Sequence, residues 1–114
     1  MISKISWEDE YWKETERAYQ ARFDGKEGMA RVCARRAAGL VIGEYLRRRG
    51  ISGLNNSAYD RLNIFIDLLD VDENCKEVAR HFLLKVSTDH NLPVDIDLIS
   101  DVTWLKNKLL QGNI

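Results

Sequence analysis

Apolar positions along this chain recur at intervals of three and four residues, the spacing that draws one stripe down a helix, and no strand-like alternation runs longer than a few residues. In "SWEDEYWKETERAYQARF", Trp7, Tyr11, Ala18 and Arg22 keep helical spacing and Ser6 stands where an N-cap belongs. Glu8, Asp9 and Glu10 fill the first turn, where acids suit the helix dipole. The pattern predicts a first helix from Ser6 to about Phe23, stopped by the turn pair Asp24 and Gly25.

The segment Lys26 to Arg49 predicts one long rod. At about 100° per residue, Ala30, Cys33, Ala34, Ala37, Ala38, Leu40, Val41 and Tyr45 share a broad arc, with Glu44 set inside it. Val32, Gly39, Ile42, Gly43 and Leu46 lie on the other side between Arg35 and Arg36, so the rod is expected to be central and contacted on two sides. Gly39, Ile42, Gly43 and Leu46 are the residues expected near an interface. Each interior glycine weakens a helix by about 1 kcal/mol, which close approach of another backbone would offset. Gly50 supplies the stop, and Arg47, Arg48 and Arg49 occupy the last turn, where cations suit the exposed carbonyls.

Three shorter helices follow. After the turn-rich "ISGLNNS", Ser57 caps a third helix with the stripe Ala58, Leu62, Phe65, Ile66 and Leu69. "DVDEN" ends it and opens a fourth with the face Cys75, Val78, Ala79, Phe82, Leu83 and Val86. "STDHNLPVDID" reads as a loop, because Pro93 biases Leu92 to an extended conformation. Asp95 or Asp97 then caps a last helix with Leu98, Val102, Leu105 and Leu109 inward, ending near Gly112. The expected fold class is all-α, a compact up-and-down bundle of about five helices, as a single domain over 1–114.

Composition agrees with that picture and removes some functions. One proline, 45% apolar and 31% charged residues describe a globular helical chain. With a net charge of -1 there is no overall field to attract nucleic acid, so any such binding needs a local patch. Cys33 and Cys75 fall at stripe positions and are expected as reduced core thiols. The N-terminal "MISKISWEDEYWKE" has no apolar run of signal-peptide length and no segment is apolar enough to span a membrane, so the expected location is the cytoplasm.

Tests for chemistry return little. Asp70, Asp72 and Asn74 imitate the start of a calcium loop, but the sixth position is Cys75 instead of glycine and the twelfth is His81 instead of glutamate. His81 and His90 lack the ligand spacing of a zinc site, and there is no P-loop, G-x-G-x-x-G or G-x-S-x-G. No metal and no cofactor are expected. The basic residues Arg35 and Arg36, with Glu44 beside them, are candidates for contact with phosphate or with an acidic partner. Glu44, on an apolar arc, needs an arginine or an interface rim.

"DGKEGMARVCARRAAGLVIGEYLRRRG" resembles the HEPN superfamily, small helical domains whose second helix is alanine-rich and dotted with basic residues after a short glycine turn. The likeness extends through "VARHFLLKVSTDHNLP" and "DVTWLKNKLL", by pattern over most of the chain. It implies a dimerising helical bundle that is either a non-catalytic partner of a small nucleotidyltransferase or a metal-independent ribonuclease. The ribonucleases of that family carry an arginine, four to six residues and a histidine. Here Arg80 directly precedes His81, which leaves these two as weak catalytic candidates only. Adjacent on a helix, they diverge by about 100° and do not converge on one phosphate within a chain. The expectation is therefore a non-catalytic HEPN-like helical module acting through homodimerisation or binding of a partner protein. The alternative is a HEPN-type ribonuclease or RNA-binding toxin-like protein using Arg35, Arg36, Arg80 and His81.

Overall fold

The computed structural model describes residues 6–84 and 96–110, and these form five helices in one bundle: α1 (Trp7–Phe23), α2 (Glu27–Arg48), α3 (Ala58–Asp67), α4 (Glu73–His81) and α5 (Leu98–Leu110). The all-α class expected from periodicity is what the chain adopts, with no strand among the described residues.

Local chemistry sets the ends. Ser6 Oγ accepts from the Asp9 amide at 3.1 Å and Ser57 Oγ from the Asp60 amide at 3.2 Å, each satisfying an orphan first-turn donor. Asp97, of the two acids offered by the sequence, caps α5 by accepting from the amides of Ile99 and Ser100. Asp95, His90 and Val86, and the expected end near Gly112, lie outside the described residues. At the other end of α2, Gly50 takes a positive φ of 83°, its amide reaching the Arg47 carbonyl while Ile51 donates to the Leu46 carbonyl. That pair of bonds is a Schellman stop, and only glycine holds its left-handed residue without strain.

Packing explains the weak amphipathicity of α2. It touches α1, α3 and α5, so little of its circumference is left for water. Ile42 and Leu46 are wholly buried, whereas Leu40 and Tyr45, placed by periodicity on the main arc, are only half-buried. The core gathers Tyr11 and Ala18 of α1, Ala34, Ala38, Val41, Ile42 and Leu46 of α2, Leu62 and Phe65 of α3, Phe82 after α4, and Ile99, Val102 and Leu105 of α5. Alanines and glycines on α2 let its neighbours come close. A Cβ added at Gly39 would stand 2.8 Å from the Ala58 Cβ and 3.0 Å from its Cα, so the start of α3 rests directly on the α2 backbone.

One departure from the expected pattern has a simple cause. The third helix ends at Asp67, because Leu68 turns extended, and Leu69, expected on the stripe, is 97% exposed. Cys33 and Cys75 are buried free thiols, and burial pushes both thiols up from their ordinary range, which keeps them protonated and inert.

Candidate functional site

A cleft of about 840 Å³ runs along α2 between α1 and α3. Its floor is Leu40 with Gly39, Gly43 and Ala58. One wall comes from α1 and carries Trp7, Glu10 and Glu14. The other comes from α3 and the segment before it, with Asn56, Tyr59 and Arg61, while Arg35, Arg36, Glu44 and Arg47 enter from α2 itself.

The arginines of this protein fall into two groups. Arg47 donates to both oxygens of Glu44 at 2.9 and 2.6 Å, and Arg48 adds a bond of 2.8 Å. Glu44 is only 7% exposed, and Arg47 and Arg48 together hold its carboxyl below its ordinary value against the opposing effect of burial. Arg49 pairs with Asp70 at 2.6 Å and reaches the Tyr45 hydroxyl. The triple arginine thus acts as more than trim for open carbonyls: its members neutralise a buried acid and pin the middle of the α3–α4 connection.

Arg35, Arg36 and Arg61 form the second group, with no carboxylate partner among the described residues. Arg35 donates through Nε to the Phe82 carbonyl at 3.0 Å and lies 4.9 Å over the Tyr59 ring. Arg61 donates to the carbonyls of Asn55 at 2.8 Å and Gly39 at 3.1 Å, its guanidinium spread over Gly43, where any side chain would displace it. Both are held in place by neutral acceptors and a ring, which fixes the cation without cancelling its charge. Arg36 is exposed and makes no hydrogen bond among the described residues. On the facing wall, one carboxylate oxygen of Glu14 is buried with no hydrogen-bond partner among those residues.

The remaining expected site residues sit elsewhere. Arg80 is paired with Glu73 at 2.9 Å and Glu77 at 3.1 Å. His81 faces Asp101 of α5 across 2.9 Å, where burial raises the Asp101 carboxyl although the histidine opposes that shift. Neither lines the cleft. Of the residues expected at an interface, Ile42 and Leu46 have no exposed surface and belong to the core, and Gly39 and Gly43 are met within the chain by Ala58 and Arg61. Arg61 and Tyr59 escaped the sequence reading. The signal available was that Ala58 and Arg61 on α3 are three apart and Gly39 and Gly43 on α2 four apart, the spacing of two helices meshing on one face.

Among the described residues no group of three or more histidine, cysteine, aspartate or glutamate side chains could hold a metal ion, and no helix is long and apolar enough to cross a membrane. No family model, no curated protein and no solved structure matches the chain.

Proposed function

We propose that the chain is a non-catalytic helical binding module, of the kind the HEPN resemblance implies, that receives a segment of a partner protein in the cleft between α1, α2 and α3. The observation that carries this reading is the arrangement of charges over an apolar floor at Leu40: Arg35, Arg36 and Arg61 without carboxylates on one side, and on the other Glu10 with Glu14, which gives one carboxylate oxygen to Arg17 at 3.5 Å and keeps the other buried without a hydrogen bond among the described residues. A protein segment with an apolar residue for the floor, acids along one edge and a base along the other satisfies both walls. A polyphosphate chain does not, because it would meet the acids Glu10 and Glu14 along the α1 wall. Ribonuclease chemistry would need a free base beside a cation. His81 is engaged by Asp101, and Arg80 by Glu73 and Glu77.

Replacement of exposed Tyr59 by a photo-crosslinking amino acid in the native cell tests the reading directly. The expected product is a protease-sensitive, nuclease-resistant adduct that is lost when Arg36→Glu is added. An adduct destroyed by ribonuclease, or cleavage of mixed RNA by wild type that disappears in an Arg80→Ala, His81→Ala variant, would replace this reading with the RNA alternative.

A further inference from the structure

Hydrogen-bond capacity separates the arginines of the cleft that lack a carboxylate. Arg61 is spent: Nε donates to the Asn55 carbonyl at 2.8 Å, Nη1 to the Gly39 carbonyl at 3.1 Å, and Nη2 meets the Asn56 side-chain oxygen at 3.4 Å. Arg35 is not. Only its Nε is committed, donating to the Phe82 carbonyl at 3.0 Å, and the Tyr59 ring lies 4.9 Å from the guanidinium carbon. One bond and one ring fix the plane of the group, while Nη1 and Nη2 make no hydrogen bond among the described residues. Phe82 caps α4 and its side chain is wholly buried, so the carbonyl that orients Arg35 is itself firmly placed. No acid of the chain is paired with this fork among the described residues. Asp60, next to Tyr59, accepts from Asn55 at 2.6 Å, Glu44 is bound by Arg47 and Arg48, and Glu10 and Glu14 stand on the opposite wall.

We infer that Arg35 selects the segment bound in the cleft by taking one aspartate or glutamate side chain of it end-on, through Nη1 and Nη2, with Tyr59 behind. The inference rests on the cleft being a protein-binding site and names the contact that decides which segment enters. Two parallel N–H bonds in one plane match the two oxygens of a carboxylate, and a plane fixed beforehand loses little freedom when the pair forms. Arg35 is half-buried, so the pair is shielded from salt in a way that a pair with exposed Arg36 is not. A phosphoryl group needs donors for a third oxygen, and with Arg61 spent only Arg36 is left to give them. Lysine at position 35 would be a point charge without the fork and without the flat face that rests on Tyr59. Arg35 and Leu40 are five residues apart on α2, roughly 7.5 Å along its axis, which puts the acid and the apolar residue for Leu40 within about four positions of each other in the segment.

Short random peptides displayed on phage, each fused at its C-terminus so that only side chains carry carboxylates, test the inference when panned against the full chain. Peptides whose binding falls with Arg36→Glu occupy the cleft. The expected consensus among them is one acid within about four positions of an apolar residue. A synthetic, amidated peptide of that consensus should lose at least tenfold in affinity when its acid is changed to the matching amide, and Arg35→Lys in the chain should cause the same loss with no further penalty from the amide peptide. Nitrogen-15 spectra of the wild-type chain keep the test valid if Arg35→Lys unfolds: the acid peptide should slow rotation of the Arg35 guanidinium and resolve its Nη signals, the amide peptide should not, and a merely structural arginine would respond to neither. Cleft-binding peptides without an enriched acid, equal affinity of the acid and amide forms, or tighter binding when phosphoserine replaces the acid each overturn the inference and leave the binding module standing. A library that yields no peptide sensitive to Arg36→Glu removes the binding module, and this contact with it.

Discussion

Gly39→Ala separates the two roles assigned to the glycines of α2. The new methyl carbon would lie 2.8 Å from the Ala58 Cβ and 3.0 Å from its Cα, and backbone at that distance cannot turn aside as a long side chain would. The N-terminal end of α3 must retreat by several tenths of an ångström, and the Arg61 bond to the Gly39 carbonyl, 3.1 Å in the native chain, lengthens with it. Overpacking of this kind destabilises by about 1–3 kcal/mol. Replacing a mid-helix glycine by alanine returns about 1 kcal/mol. The net expectation is a loss of about 1 kcal/mol, a fall in melting temperature of roughly 4–8 °C. Gly43→Ala is the matched control: the nearest atoms to its Cβ belong to the guanidinium of Arg61, 2.8 Å away at Cζ and 3.2 Å at Nε, which can swing out. There the helix-propensity gain and the lost Arg61 bonds nearly cancel, leaving stability within about 0.5 kcal/mol of wild type. Melts and urea titrations of both variants, together with Ala58→Gly alone and combined with Gly39→Ala to relieve the contact, give the coupling between positions 39 and 58. A Gly39→Ala protein that melts higher than wild type by what helix propensity alone supplies would refute the close approach of α3.

Two further expectations concern pH. Glu44 is held below its ordinary value by Arg47 and Arg48, so its contribution is present above the unfolded value of 4.5 and lost as pH falls through the lower folded value. Glu44→Gln should therefore melt below wild type at pH 7, with the gap closing on the acid side of 4.5, read by calorimetry at both pH values. Asp101 carries the opposite sign: burial raises its carboxyl above 3.8, so its contribution is present below that value and lost as pH rises through the raised one. The melting temperature of Asp101→Asn should climb relative to wild type as pH rises from 3.8 through the raised folded value, and a flat difference would show that the site is open to water.

What the sequence made legible was local. Ser6, Ser57 and Gly50 act within three or four residues of themselves, and each does in the structure what its type and position dictated. The ranking of α2 side chains was less accessible, since a helix gripped by three neighbours has no single apolar face, and Ile42 and Leu46 outrank Leu40 and Tyr45 in burial. Leu69 failed because the backbone leaves the helix at Leu68, an event that periodicity does not encode. The cleft was half legible. Arg35, Arg36 and Glu44 could be singled out as charges on a packing helix, but whether each was neutralised depended on residues far along the chain. Arg61 gained its position from carbonyls at Asn55 and Gly39, which no sequence pattern announces.

That distribution of partners matters more for function than the net charge. With a total of -1 the chain exerts no long-range pull, and at physiological salt the influence of a single surface arginine fades within about 8 Å. Arg35, Arg36 and Arg61 therefore act only on a molecule already in the cleft. Sorting of partners must come from how charges are ordered across the two walls, not from attraction at a distance. Glu44 shows why the order survives. Had Arg47 and Arg48 not claimed it, its carboxylate would stand as an open negative charge in the same cleft and offset the charge that the arginines there present. The C-terminal arginines of α2, by neutralising Glu44 from within their own helix, leave those on the rest of the cleft available to a partner.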